Sequence, residues 1–428
     1  MHTLFEQWYI LINLIEHKMS SENIITAIDI GTSKIRTLTW SFLEDKSRDF
    51  HILGIGVANS YAIRKWNILD MEEFKSNLDA SLEEAEKMSG EPVTGVNLSF
   101  NSSSFDVVTS KGIIAVSGDE ISQDDIDRVL DMARNGIDLP NREILKVVPD
   151  FFVVDLEEGV KNPIGMSARK LEVVANIFSM NKNIYGNISK AVGDVGIEIY
   201  DIYPNLLTAP EGILTKRQKE LGVVCIDMGA STTGVTVYEE WVLKFSTVIP
   251  VWGDSVTNDI ALWARTSIDT AEKLKVAHAV IGLDEIDDKE FDISLSEVGR
   301  NEEGEISNIY LSQIVTARYE EILYFISGEL KKIGRDGMLP EWAILVGWSV
   351  KQQWFVDLAK KVLRLPVFIG LPLEKESLSE TSISDPVFAG VVWNLILWNR
   401  YTRWWSPFRL NIWPFFQSIV KVFKKILP

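Results

Sequence analysis

Residues Ile24–Phe42 read IITAIDIGTSKIRTLTWSF, and Leu221–Tyr238 read LGVVCIDMGASTTGVTVY. In each, an apolar strand ends in Asp, a turn of small residues follows, and a strand of alternating apolar residues leaves. One strand–turn–strand device is thus used twice, about 200 residues apart. The simplest architecture that uses such a duplication is an α/β fold whose two halves face each other across a cleft.

The rest of the composition fits that size. A chain of 428 residues has room for two to four structural units. With 46% apolar and 24% charged residues it reads as folded, not disordered, collagenous or coiled-coil. There are 43 Lys+Arg against 61 Asp+Glu, a net charge of −18, so no general basic surface for nucleic acid exists. The charge is uneven: Arg400, Arg403, Arg409, Lys421, Lys424 and Lys425 fall in residues 400–428 with no acid among them. An acidic body with a basic, aromatic tail points to a separate partner for the tail. A single cysteine, Cys225, and four histidines give neither a disulfide nor zinc-ligand spacing, which suits a reducing cytoplasm. Met1–His17 is apolar but interrupted by Glu6, Gln7, Asn13 and Glu16, too short and polar to span a bilayer and without signal-peptide features. Met19 opens an ordinary start, so the first 18 residues read as an upstream extension or a mis-called start.

Between and after the two hairpins, periodicity predicts helices at Glu72–Met88, Asp119–Ala133, Asn181–Gly193, Thr208–Gln218, Leu311–Ile333, Trp354–Leu363 and Ala389–Trp398. Ser122-x-x-Asp125 is a cap-like start for the second of these. Strands are expected at Val147–Val154, Leu171–Met180, Ala343–Val346 and Val367–Ile369. Asp284–Glu305 reads as a hairpin or exposed loop, and Glu374–Ser384 as an exposed segment.

The turns suit phosphate chemistry. In the first, Gly31 lets backbone approach a phosphate, Thr32 and Ser33 offer hydroxyl and amide donors, Lys34 is a further candidate cofactor-binding residue, and Asp29 can hold the water shell of Mg2+. In the second, Asp227, Gly229, Ala230, Ser231, Thr232 and Thr233 offer the same donors from the opposite side. A lone Asp-x-Gly also caps ordinary hairpins; two matching copies weigh toward a nucleotide. The repeat resembles the actin and Hsp-type ATPase superfamily, in which two Asp-bearing hairpins clamp ATP and Mg2+. It is similar in particular to the FtsA branch. AIDIGTSKIR, REILKVVPDFFVVDLEEGVKNPIGMSARKLEV at Arg142–Val173 and VTNDIALWARTSIDTAEKLK at Val256–Lys275 look like successive blocks of that family, in order, from about Asn23 to Leu371.

The resemblance implies an α/β, actin-like two-lobed fold with a duplicated ATPase core, an FtsA-type subdomain 1C in place of the usual actin insertion, and a C-terminal amphipathic helix. The expected divisions are 1–22, an extension; 23–101 with 181–219 and 376–399, subdomain 1A; 102–180, subdomain 1C; 220–256 with 318–375, subdomain 2A; 257–317, subdomain 2B; 400–413, a linker; and 414–428, the helix. The resemblance further implies that Gly253, Asp254, Gly347, Trp348 and Ser349 line the cofactor site, with metal at Asp29 and Asp227. Ribose and base contacts are implied for Glu272 and Lys273, which equally fit a solvated helix face. The chain departs from the family pattern at several of these places. Gly347-Trp348-Ser349 replaces a glycine triplet, Ala230-Ser231 stands where glycines are usual, Trp252 precedes Gly253, and Asn205 occupies the place of a Glu that helps to position water. Trp348 would either stack on adenine or fill its place. ATP binding is expected; enzymatic turnover is at most slow.

The tail can be read without the resemblance. After Pro414, residues Phe415, Phe416, Ile419, Val420, Phe423, Ile426 and Leu427 share one helical face, and Lys421, Lys424 and Lys425 lie opposite. Such a helix is about 20 Å long against a hydrocarbon layer of about 30 Å, so it lies in the interface and does not cross it. Each lysine adds about 1 kcal/mol near anionic lipids. Trp404, Trp405 and Trp413 are typical interface anchors.

These readings converge on a tether at the cytoplasmic face of the cell membrane, at the division site. The implied partners are the FtsZ C-terminal peptide, other copies of the chain through subdomain 1C, anionic lipids and other divisome proteins. The alternatives are a PilM-like pilus-assembly adaptor, a nucleotide-free paralogue, or a kinase or chaperone-type ATPase on the same core.

Overall fold

The computed structural model describes residues 24–42, 50–60, 62–64, 67–251, 253–282, 290–299, 302–347, 349–352, 354–371, 386–388, 390–392 and 394. The two halves repeat one plan. In the first, β1 (Ile24–Ile30) runs antiparallel to β2 (Lys34–Phe42), which pairs with β3 (Phe50–Asn59). A short ribbon, β4 (Ile63–Arg64) with β5 (Asn67–Ile68), leads into α1 (Met71–Ser89), and β6 (Gly95–Phe100) returns parallel to β1. The half is interrupted by β7 (Asp106–Ala115), α2 (Gln123–Asn135), β8 (Arg142–Val154), β9 (Glu157–Val160) and β10 (Lys170–Asn181). It then closes with α3 (Lys182–Asp194) and β11 (Glu198–Pro204), parallel to β6. Helices α4 (Asn205–Ile213) and α5 (Lys216–Leu221) cross to the second half.

There β12 (Val223–Met228), β13 (Thr233–Glu239) and β14 (Val242–Ile249) form the antiparallel part. The interruption now follows β14: α6 (Gly253–Ala264), α7 (Ile268–His278), β15 (Asp292–Ser294), α8 (Leu295–Val298) and β16 (Glu305–Ser307). Helix α9 (Asn308–Lys332) leads to β17 (Ala343–Gly347), parallel to β12, and α10 (Phe355–Leu363) to β18 (Val367–Ile369). The sheets are ordered β11-β6-β1-β2-β3 and β18-β17-β12-β13-β14, the same sequence of parallel and antiparallel neighbours. The duplicated two-lobed α/β core is therefore present. Corresponding strand ends, and the Asp-bearing turns on them, are brought to one cleft.

Local chemistry explains the elements. Asp70 caps α1 by accepting from the N–H groups of Glu72 and Glu73, and Phe74, Leu78 and Leu82 bury one stripe against the first sheet. Ser122 and Asp125 form a reciprocal capping box on α2, which covers one face of the inserted sheet, ordered β7-β10-β8-β9. The long helix α9 buries Leu311, Val315, Tyr319, Ile322, Leu323, Ile326 and Leu330, and partly covers Ile314. One helix expected over Thr208–Gln218 is in fact two. The first starts directly after Pro204, and Thr215 with Gln218 forms a new capping box that restarts the chain as α5. The acidic stretch near 284–305 does make a short antiparallel pair, Asp292 with Ser307, around α8.

On the inner face of the first sheet, Val391 and Val392 pack with Ile25, Ala27, Leu38 and Trp40, and Asn394 Nδ2 donates to the Asn97 carbonyl at 2.9 Å. The predicted N-terminal extension, Glu374–Ser384, the linker and the amphipathic tail lie outside the described residues, as does most of Ala389–Trp398. Among the described residues no helix is long and apolar enough to cross a membrane.

Candidate functional site

The two turns close by the same bond. Gly31 N–H donates to the Lys34 carbonyl at 2.9 Å, and Gly229 N–H to the Thr232 carbonyl at 3.0 Å. Asp29 pairs with the residue seven places on, Arg36, as Asp227 does with Gly234. A Cβ on Gly31 would stand 2.6 Å from the Lys34 carbonyl oxygen, and one on Gly229 would stand 3.0 Å from that of Thr232. Gly31 is thus required by its turn, and a side chain at Gly229 would crowd the matching carbonyl, before any ligand is considered.

The two carboxylates face each other. Asp29 is buried; it accepts from Asn205 Nδ2 at 3.0 Å and lies 3.8 Å from the Arg36 guanidinium. Burial pushes its carboxyl up, against the pull of Arg36 and Asn205. Asp227 accepts from Asn101 Nδ2 at 2.7 Å; burial, and then the charge of Asp29, push its carboxyl up to about 7. Each carboxylate is therefore held by an amide, Asn205 from the start of α4 and Asn101 from the end of β6. The charge that Arg36 leaves uncompensated is what a cation between the turns would neutralise. Among the described residues no cluster of three or more His, Cys, Asp or Glu could hold a metal alone. Two carboxylates are the donor set that fits Mg2+ bound mainly through water and phosphate oxygens.

A second group gathers around Gly253. A Cβ there would lie 3.3 Å from Ser349 Oγ and 3.7 Å from the Gly229 carbonyl oxygen. Asp254 N–H donates to the Ala230 carbonyl at 2.8 Å, and the Ser231 hydroxyl donates to the Asp254 carboxylate. Thr233 Oγ1 donates to the Val251 carbonyl at 3.1 Å, and Ser349 is hydrogen-bonded to buried Tyr319. The hairpin, the N-terminus of α6 and the end of β17 thus form one wall. Glu272 reaches this wall through Thr257 Oγ1, which donates to its carboxylate at 2.5 Å.

Two predicted residues do not point here. The Lys34 ammonium goes to Asn59 Oδ1 at 2.5 Å, and that of Lys273 goes to the Val298 carbonyl at 3.3 Å. On a helix the neighbour of Glu272 turns away by about 100°, whereas the residue three on shares its face. That residue, Lys275, was missed by sequence reasoning. It is buried and donates to Glu272 at 2.5 Å, Thr257 Oγ1 at 2.7 Å and the Gly253 carbonyl at 3.3 Å. The i,i+3 acid–base spacing was the signal available. Replacing Lys275 by Met is expected to cost about 1–3 kcal/mol in chemical denaturation, because the Gly253 carbonyl and Glu272 lose a buried donor. An unchanged midpoint would mean that water replaces the ammonium. Trp252 and Trp348 lie outside the described residues.

Comparison with known proteins agrees on one family. The description "SHS2 domain inserted in FTSA" matches residues 103–179, and "Cell division protein FtsA" matches residues 224–392. Cell division protein FtsA of Pseudomonas aeruginosa is 30% identical over 371 residues, covering 87% of this chain and 88% of that protein. FtsA of Bacillus subtilis is 30% identical over 358 residues, covering 83% and 80%. Among solved structures, the PilM-PilN type IV pilus biogenesis complex superposes with a TM-score of 0.60 at 14% identity. That match covers 87% of this chain and 98% of the other, and it is a likeness of fold alone.

Proposed function

The chain belongs to the FtsA family of cell-division proteins and has an actin-like fold, and from that premise we propose that it is a nucleotide-dependent tether holding FtsZ filaments to the membrane. The observation that carries the nucleotide part is the facing pair, Asp29 and Asp227, each oriented by one amide, Asn101 reaching Asp227 from the first half. ATP with Mg2+ supplies the positive charge and the phosphate oxygens that this pair lacks. Gly31 and Gly229 keep the two turns tight, so that backbone, Thr32 and Ser33 can approach phosphate from one side and Ala230 to Thr233 from the other. Glu272 and Lys275 stand on the wall suited to the ribose. Asn205 sits against Asp29 as a neutral amide that also accepts from Thr208. An amide cannot take a proton from an attacking water, so phosphate release is slow.

The remaining parts rest on the family and on the sequence. The inserted sheet, residues 102–180, serves self-association, and residues 257–317 receive the FtsZ C-terminal peptide. Residues 414–428 lie in the cytoplasmic leaflet with Phe415, Phe416, Ile419, Val420, Phe423, Ile426 and Leu427 inward. Lys421, Lys424 and Lys425 face anionic headgroups, where other division proteins gather. One tail is a weak anchor; linked copies rebind at high effective concentration, so assembly and attachment reinforce each other.

The test is co-sedimentation with anionic vesicles of the full-length chain and of a version ending at Trp405, each with and without FtsZ filaments. Only the full-length chain is expected to bring FtsZ down. Vesicle binding that ignores FtsZ would reassign the tether to another client. Phe423→Glu is expected to release the protein from vesicles with no change in melting temperature; a large thermal loss would place that helix in the core instead.

A further inference from the structure

The inserted sheet belongs by chain connection to the first lobe, yet it is fastened to both. Its strand β8 presents Lys146 and Asp150 on the face away from α2. The Lys146 ammonium pairs with Asp201 of β11 and sits 3.9 Å over the Tyr203 ring. Because β11 is an edge strand, this fixes β8 to the rim of the first sheet. Asp150 is an extra residue in β8: Phe151 pairs with Val174 and Pro149 with Ala175, leaving Asp150 bulged. Its carboxylate accepts from the Leu243 N–H and from Asn176 Nδ2, the latter at 2.8 Å, while Asn176 Nδ2 also donates to the Leu243 carbonyl at 3.3 Å.

Leu243 lies in β14, the edge strand of the second sheet, beside a second bulge at Lys244. Two side chains of the insert thus engage both the N–H and the carbonyl of one residue on the other lobe's edge strand. Thr109 Oγ1 holds Asn176 in place by donating to its Oδ1 at 3.1 Å. Beneath, Phe178, Val107 and Val148 of the insert share a core with Leu207, Tyr238 and Leu243. Asp150 is half-buried there, and burial pushes its carboxyl up to about 6 although Lys161, the bonds from Asn176 and Leu243, and Lys244 pull it down.

We propose that β8 is a strap between the lobes, with Lys146 fastening it to β11 and Asp150 with Asn176 fastening it to β14, so that it restrains the angle of the cleft. An edge-to-edge link of this kind makes the position of the insert depend on both lobes. A change in cleft angle must either carry the insert with it or break one fastening.

Spin-label distances in the full-length protein test this without any nucleotide. Labels go on cysteines at Met88 in the first lobe, Leu156 in the insert and Met338 in the second lobe, which are 51%, 94% and 69% exposed. The native Cys225 is buried and its thiol is pushed up, so it stays unlabelled. Asp150→Ala with Asn176→Ala is expected to at least double the width of the 156–338 and 88–338 distributions and to leave 88–156 narrow. Lys146→Met is expected to widen 88–156 and 88–338 and to leave 156–338 narrow. Asp150→Asn, which keeps an acceptor for Leu243, is expected to stay close to the parent, which guards against a variant that merely folds poorly. Unchanged 88–338 widths in both loosened variants, or widening of all three pairs together, would overturn the proposal.

Discussion

Replacing Asp227 by Asn is expected to raise the melting temperature of the ligand-free protein by a few degrees at pH 8 and to abolish any added stability from Mg2+ with nucleotide. The folded carboxyl is held near 7 against an ordinary value of 3.8. Between those two pH values the folded chain keeps a proton that the unfolded chain releases. Stability therefore falls as pH rises through the window, and the whole cost is felt above it. At about 1.4 kcal/mol per tenfold change in proton affinity, that cost reaches up to about 4 kcal/mol. Asn carries no charge at any pH, so the gap between variant and parent should close toward pH 4. Thermal scans at pH 5 and pH 8, with and without Mg2+ and ATP, read both effects. A variant that melts below the parent at pH 8 without cation would show that the pair is not a source of strain.

The second large effect lies at Gly347. It ends β17 at φ +95, paired with Met228, and a Cβ there would stand 2.3 Å from the Met228 carbonyl oxygen. Both the backbone region and the space exclude a side chain, so Gly347→Ala must part β12 from β17 beside Asp227 and Gly229. A loss of about 3 kcal/mol in urea denaturation is expected. Gly328 in α9 is the control, with nothing within 4 Å of its Cβ position; Gly328→Ala should gain about 0.5–1 kcal/mol. Equal midpoints for the two variants would contradict this account.

The hairpins were legible because their information is local: an apolar strand, an Asp, small residues and a second alternating strand. Which residues complete the site was less legible, because it depends on contacts between distant segments. Asn101 reaches Asp227 over 126 positions and Asn205 reaches Asp29 over 176. One clue was present: Asn97, Ser99 and Asn101 repeat every second residue of β6, opposite Val96, Leu98 and Phe100. Lys275 was hidden for another reason, since the rotation of α7 decides which of two lysines faces Gly253. The division of Thr208–Gln218 into two helices could have been read from Thr215-x-x-Gln218, a start signal inside an otherwise helical run. The bulges that aim Asp150 at Leu243 have no counterpart in composition or period.

The seating of Val391 and Val392 on Ile25 and Ala27 has a consequence for synthesis. The first lobe emerges first from the ribosome, yet its inner face waits for residues made more than 350 positions later. At about 5–20 residues per second that delay is roughly 20–70 seconds. Meanwhile the insert and the second lobe, whose cores among the described residues use nothing beyond Val367, can already close. The nascent chain therefore completes its parts out of order, and a stalled product lacking the last forty residues would leave Ile25, Ala27, Leu38 and Trp40 without Val391 and Val392, an apolar face for chaperones or proteases to find.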